Sequence, residues 1–233
     1  MKSRPQSFKL LIPAILLCSV SLASAGEVGH SIKQKVSGMF AEAGCDYPPR
    51  HITLLAIKDE KKIEVWDTDA DAGPRLVKEY EIFAASGNTG PKLVRGDYQV
   101  PEGVYSIVGL NPNSRYHLSM KLDYPNSFDR KMARCDGRSC LGGDIFIHGS
   151  SKSAGCLAVG DAAIEELYQI VSDAGMGRVR VVIAPHDFRK DDSASEFGVS
   201  PAWVPELYKN IQAEMATYRR AVSVENIQVS QIR

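Results

Sequence analysis

Gly142-Gly143-Asp144-Ile145-Phe146-Ile147-His148-Gly149-Ser150-Ser151-Lys152-Ser153-Ala154-Gly155-Cys156-Leu157 is the stretch on which the reading of this chain turns. Its first half is an apolar strand ending in a His. Its second half is a loop of small residues ending in Gly-Cys. Alternation along the strand sends Ile145 and Ile147 to one face and Asp144, Phe146 and His148 to the other. A strand holds the imidazole on a rigid element, and Gly149 lets the chain turn sharply beside it. The six residues between His148 and Gly155 can fold back and bring the Cys156 thiol toward the ring. An adjacent imidazole is what a thiol nucleophile needs as its base. Gly155 gives a substrate access to the backbone. The N–H groups around Gly155 and Cys156 are candidate donors to an oxyanion. Lys152 adds positive potential. The same residues also fit a plainer description, a satisfied strand-end His and a small buried thiol. One His and one Cys lack the third and fourth ligands of a zinc site unless His117 or His186 is recruited, so no metal and no cofactor is expected.

Outward from this stretch, the chain reads as strands before it and helices after it. His51–Ile57 is apolar and β-branched, Lys58–Lys61 is a polar turn, and Lys62–Trp66 alternates, which together predict a hairpin. Leu76–Ala84 is a further alternating run, and Ser86–Pro91 is a loop by composition. Pro101-Glu102-Gly103 inside Asp97–Val108 predicts a turn or bulge between two short strands. Leu110–Arg130 is irregular, and so long a connection points to a functional loop. After Cys156, Asp161 is the expected N-cap of a helix whose Ile164, Leu167, Tyr168 and Val171 share a face. Gly175 and Gly177 end it, and Arg178–Ala184 is a last strand. A polar linker at 189–195 precedes an amphipathic helix from about Pro201, with Leu207, Ile211, Met215 and Tyr218 on one stripe. The fold class expected is α+β, β-rich, with a C-terminal helical extension.

The first residues read differently. Lys2, Arg4 and Lys9 precede an apolar run, Leu10–Val20, and Ala23-Ser24-Ala25 supplies small residues for cleavage. This is a secretory signal peptide, with a run too short to span a membrane stably. The expected layout is a signal peptide at 1–25, a lead-in segment with a helical tinge at 26–50, a catalytic domain at 51–186 and the helical extension at 187–233. Losing Lys2, Arg4 and Lys9 leaves 25 basic against 28 acidic residues, so nucleic acid is not an expected partner. The implied location is the periplasm, where disulfides are permitted. Cys135 and Cys140 are spaced to close a small loop, which leaves Cys45 and Cys156 over.

The order strand, His148-Gly149, Ser153-x-Gly155-Cys156 closely resembles the catalytic domain of the L,D-transpeptidase (YkuD) family, most of all its YafK-like branch. Gly90-Pro91-Lys92, Arg95-Gly96-Asp97, Pro101–Tyr105, Ser114-Arg115-Tyr116, Tyr124-Pro125-Asn126 and Asp129-Arg130 extend the resemblance over about residues 51–184. It implies a secreted enzyme of cell-wall biogenesis and cell shape. In it Cys156 matches the nucleophile, His148 the general base and acid, and Gly155 the glycine before the nucleophile. It implies peptidoglycan stem peptides as partners, attacked at a meso-diaminopimelate carbonyl to give a thioester. An amine acceptor would make this transpeptidation. Water would make it hydrolysis, as an amidase or carboxypeptidase, including release of a wall-linked lipoprotein. A non-catalytic wall-binding protein is the remaining reading. Ala154 stands where most of the family has a second His, and Ala158 stands near the place of its usual Arg. Lys92, Arg95, Arg115 and Lys121 are candidates to hold substrate carboxylates or are a solvated charged face. Tyr116 and Tyr124 line the cleft or simply pack.

Overall fold

The computed structural model describes residues 23–69, 73–190 and 201–219. Most of the expected signal peptide, three residues of the turn after Asp69 and much of the 189–195 linker lie outside them. Helix α1 (Ala23–Glu42) comes first. Strands β1 (Ile52–Ile57) and β2 (Lys62–Asp67) follow as the predicted hairpin, antiparallel with Ile57 opposite Lys62. Then come β3 (Arg75–Glu81), β4 (Ala84–Ala85), β5 (Gly103–Ser114), β6 (His117–Leu122), α2 (Ser127–Cys135), β7 (Phe146–His148), β8 (Leu157–Ala158), α3 (Asp161–Ala174), β9 (Val179–Ala184) and α4 (Val204–Met215).

Among the described residues nine strands form one sheet in the order β3-β2-β1-β9-β5-β6-β7-β8-β4. Its two edge strands, β3 and β4, are joined in sequence by Ile82 and Phe83 alone. Two residues cannot cross an open nine-stranded sheet, because strands lie about 4.8 Å apart. The sheet therefore curls until its edges approach. Ile82 N–H donates to the Lys61 carbonyl on one side and Phe83 N–H to the Ala158 carbonyl on the other. The architecture is the expected α+β, a curled β half-barrel with helices packed on it.

β1 is buried along its whole length because both its faces are covered. Ile52, Leu54 and Ala56 face the main core with α3. Leu55 and Ile57 face a second core built on α4. The flanking segments are part of this body. Val36 and Phe40 of α1 are fully buried in the main core. On α4, Leu207, Ile211 and Met215, with Tyr218 beyond it, are buried as the stripe predicted.

Three local expectations change. No strand precedes Pro101; residues 97–102 are irregular, and one strand, β5, starts at Gly103 and runs twelve residues. The supposed long loop from Leu110 is the outer half of β5, the strand β6 and helix α2. It read as irregular because β5 leaves β9 after Ser106 and continues as a largely exposed ribbon paired only with β6. From Val108 onward β5 buries no residue that would impose alternation; the buried apolar residues of the pair, Met120 and Leu122, lie on β6. In the third, Gly160 rather than Asp161 caps α3, and the Asp161 carboxylate accepts the Ser150 N–H at 2.7 Å.

Candidate active site

Short parallel pairing between β7 and β8 sets the site. Ile147 lies beside Leu157 and His148 beside Ala158. Ile147 and Leu157 are both fully buried in the main core. Cys156 immediately precedes Leu157, so alternation turns it to the face that carries His148. Register alone thus puts thiol and imidazole on one side of the sheet, a diagonal apart.

His148 is 2% exposed. Its Nδ1 lies 2.6 Å from the Gly149 carbonyl oxygen. A carbonyl only accepts, so Nδ1 carries the proton and Nε2 is left with its lone pair. The Tyr116 ring stacks on the imidazole, with centroids 4.5 Å apart and planes at 30°. Tyr116 sits between β5 and β6, so the exposed ribbon delivers it. Gly149 has to be glycine here. A Cβ on it would meet the Asp161 carboxylate and the Tyr116 carbonyl oxygen, each at 2.6 Å. Burial holds the His148 imidazole below its ordinary pKa, and the bond to the Gly149 carbonyl opposes this.

Cys156 is half-buried, and its Sγ–H points to the Asp144 carbonyl at 3.7 Å. Burial pushes the thiol up. The Phe146 N–H aimed at it pulls down, the Asp144 carboxylate pushes up and the Lys92 ammonium pulls down. Two serines clamp its loop. Gly155 N–H donates to Ser86 Oγ at 2.6 Å, and Cys156 N–H to Ser153 Oγ at 3.2 Å. Ser153 Oγ–H donates to the Cys156 carbonyl at 2.6 Å. The N–H donors expected to be free for an oxyanion are therefore occupied by hydroxyl oxygens. Ser153 was legible as a hydroxyl three residues before the Cys. Ser86, sixty-nine residues from Gly155, carried no local signal.

A cleft of about 610 Å³ is lined by Lys92, Arg95, Tyr98, Arg130, Leu141–Ile145 and Ala154; Cys156 and His148 do not line it, and Cys156 adjoins it at the Asp144 carbonyl that its Sγ–H faces. The candidate substrate-binding residues fare differently. Lys92 is 7% exposed and already committed, to the Asp97 carboxylate and to the Val94 carbonyl at 3.1 Å. Its remaining role is potential at the thiol. Arg95 is exposed on the cleft wall, as is Arg130, which the sequence offered within the Asp129-Arg130 pair but not as a binding residue. Arg130 donates to the Pro125 carbonyl. Lys121 pairs with Asp144 at 2.6 Å. Arg115 is exposed beside Tyr116 at the ribbon's turn, and Lys152 is exposed in the His–Cys loop; neither lines the cleft. Tyr124 is buried and packs, donating to the Leu141 carbonyl at 3.2 Å.

Cys135 and Cys140 are not joined; both are exposed free thiols. Cys135 ends α2, and the Arg138 guanidinium ties the turn to Asp136 and to the Leu93 carbonyl. The Cys140 carbonyl accepts the Arg95 N–H at 2.9 Å. These bonds hold the loop without a crosslink. His117 pairs with Glu165 at 2.7 Å, and no three His, Cys, Asp or Glu side chains converge among the described residues.

The fold is that of an L,D-transpeptidase catalytic domain. The chain matches that family, YkuD, over residues 53–183, and it belongs to it. YafK of Escherichia coli (strain K12) is 30% identical over 189 residues, 79% of this chain and 70% of that protein. Among solved structures, a variant of the helical cell shape determining protein Pgp2 from Campylobacter jejuni is 24% identical. It matches over 68% of this chain and 56% of its own, with a TM-score of 0.49. Pgp2 itself is 18% identical over 79% of each chain, with the same TM-score. No helix among the described residues is long and apolar enough to cross a membrane.

Proposed function

We propose that this protein is a periplasmic cysteine acyltransferase acting on peptidoglycan stem peptides, with Cys156 as nucleophile and His148 as general base and acid. One observation carries the reading. His148 spends its Nδ1 proton on the Gly149 carbonyl, which leaves Nε2 as a base on the sheet face that carries Cys156. Nε2 takes the thiol proton as sulfur attacks the meso-diaminopimelate carbonyl. The tetrahedral adduct then expels the amine, which receives that proton from His148, and a thioester remains. An amine or water attacks the thioester, gives its proton to His148 and frees the thiol. Arg95 and Arg130 on the cleft wall bind the donor's free carboxylates. Family membership supports the chemistry, and the amino-terminal signal pattern supports the location.

A carbapenem tests the first half-reaction. Intact protein should gain one adduct by mass, and Cys156→Ser should gain none. An adduct retained in Cys156→Ser, or none in the native protein, overturns the assignment. Digestion of purified wall then separates the two fates of the thioester. New cross-links or a lysine-linked protein mark transfer, and released peptide or freed lipoprotein marks hydrolysis.

A further inference from the structure

The helix α4 belongs to neither the cleft nor the β7–β8 pair. Its apolar stripe is spent on the second core. Two of its side chains nevertheless begin polar chains that run to the cleft, and both end on the same loop, residues 86–102.

The first chain starts at Trp203, the N-cap residue of α4. Its Nε1–H donates to Asp136 Oδ2 at 2.6 Å, and its ring stands edge-on to Phe128 with centroids 6.0 Å apart. Arg138 lies over the indole, 5.6 Å from the ring centroid, and donates to the same Asp136 oxygen at 2.8 Å. The other arm of that guanidinium donates to the Leu93 carbonyl at 2.8 Å. Leu93 follows Lys92 and precedes Val94 and Arg95, the cleft wall.

The second chain starts at Tyr208, 2% exposed, whose phenol is within electrostatic reach of the Glu102 carboxylate; Glu102 Oε2 accepts no hydrogen bond among the described residues. Glu102 is 1% exposed. It accepts Lys58 Nζ–H at 2.9 Å and the Gly90 N–H at 2.7 Å. Lys58 also donates to the Gly90 and Val100 carbonyls, each at 3.1 Å. Both ends of the loop are thus fastened to one buried ion pair. Taking such a pair out of water costs several kcal/mol per ion, which the carbonyls on Lys58 and the Gly90 N–H on Glu102 Oε1 help offset.

The same loop grips the Cys156 turn. Ser86 Oγ accepts the Gly155 N–H at 2.6 Å and donates to the Tyr98 carbonyl at 2.6 Å. The Gln99 carbonyl lies 3.4 Å from where a Cβ on Gly155 would stand. Any shift of the loop therefore moves Gly155 and the thiol after it.

We infer that α4 is a brace for the reaction: Trp203 and Tyr208 are positioning residues that hold loop 86–102, and through Ser86 the Cys156 turn, in register with His148. The inference rests on the proposed role of Cys156 only for its activity readout. Its structural content is tested by amide hydrogen exchange on the full chain. Trp203→Phe keeps an aromatic ring, smaller than the indole, and loses the N–H. Tyr208→Phe keeps the ring and loses the hydroxyl. Each should speed exchange at Gly90, Gly155 and Cys156 by about ten-fold, with β1 and β9 unchanged. Each should also lower the rate of adduct formation at saturating carbapenem, leaving half-saturation within about two-fold. Leu207→Ala is the control. It removes apolar packing from the same helix and should speed exchange across the whole second core. If the two Phe variants exchange like the native protein, or loosen β1 and β9 as much as the loop, α4 is only a cover for the core and the brace is refuted. If exchange is localised as expected while native protein forms no adduct, the brace stands and the proposed function falls.

Discussion

Burial acts in opposite directions on the two groups proposed to react. It pushes the Cys156 thiol up and the His148 imidazole down. At neutral pH both are therefore neutral, and no thiolate–imidazolium pair stands ready. Activation has to come as the proton moves to Nε2 during attack, which is general-base catalysis rather than a preformed nucleophile. Two pH profiles follow. Alkylation of Cys156 by iodoacetamide should climb on the alkaline side, beyond the ordinary thiol range near 8.5. Carbapenem acylation should instead lose its rate on the acid side, with a midpoint below the ordinary imidazole value near 6.5. His148→Ala should cut acylation about 10²–10⁴-fold and remove that acid limb. An alkylation rate already flat at pH 6 would mean a stored thiolate and contradict the neutral pair. At this scale the placement of the residues proposed to react was legible and its support was not. His148, Gly149, Gly155 and Cys156 are close in sequence and carry their spacing with them. Ser86 and the Trp203–Asp136–Arg138 chain are brought in by topology, and only folded geometry reveals them.

At the scale of elements, helix α2 combines a regular start with a costly charge. Asn126 accepts the Phe128 and Asp129 N–H groups, and Asp129 returns the bond by accepting the Asn126 N–H at 2.9 Å. This capping box satisfies donors that a helix start otherwise leaves open. Yet burial pushes the Asp129 carboxyl up to about 6, against the Asn126 N–H and the Tyr105 hydroxyl that favour its charge. The folded protein then holds this proton over a range where the unfolded chain, near 3.9, has released it. Stability from this group is present below about 4 and declines as pH rises toward 6. Melting temperatures of native protein and Asp129→Asn, compared from pH 4 to 7, should show that decline only in the native protein. Parallel curves would mean Asp129 titrates as an ordinary surface carboxylate. Helix α2 was missed in the sequence because its nine residues include only two that are buried, Met132 and Ala133. The β1–β2 hairpin was found from an apolar, β-branched run, a polar turn and an alternating run, and α3 and α4 because one buried face imposes a period. Elements that bury one face announce themselves; an exposed ribbon and a mostly solvated helix do not.

For the whole molecule, the question is how much chain one sheet needs to stay covered. The family match, residues 53–183, contains every strand but excludes α1 and α4. A boundary at 51–186 looks natural from sequence, because the Pro48-Pro49 pair and the polar linker at 189–195 resemble punctuation. The packing contradicts independence of those segments. Without α4, the outer face of the sheet loses the cover over Leu55, Ile57, Trp66 and Val182, all fully buried. Without α1, Val36 and Phe40 leave the main core, which holds α3 against the sheet. Fully burying a large apolar side chain contributes about 1.5–3 kcal/mol. Four such chains on one face reach about 6–12 kcal/mol, against a net stability for a whole domain of about 5–15 kcal/mol. A fragment trimmed to residues 51–186 should therefore fail to fold. Near-ultraviolet circular dichroism should show no fixed aromatic signal, and no cooperative melt should appear. A fragment from 23 to 219 should show both. Restoring α4 alone, as 51–219, should recover part of the transition at a lower melting temperature, because the main core would still lack Val36 and Phe40. A cooperative melt of the 51–186 fragment at the native temperature would make both helices accessories, and the sheet would then have to be stable with its outer face bare.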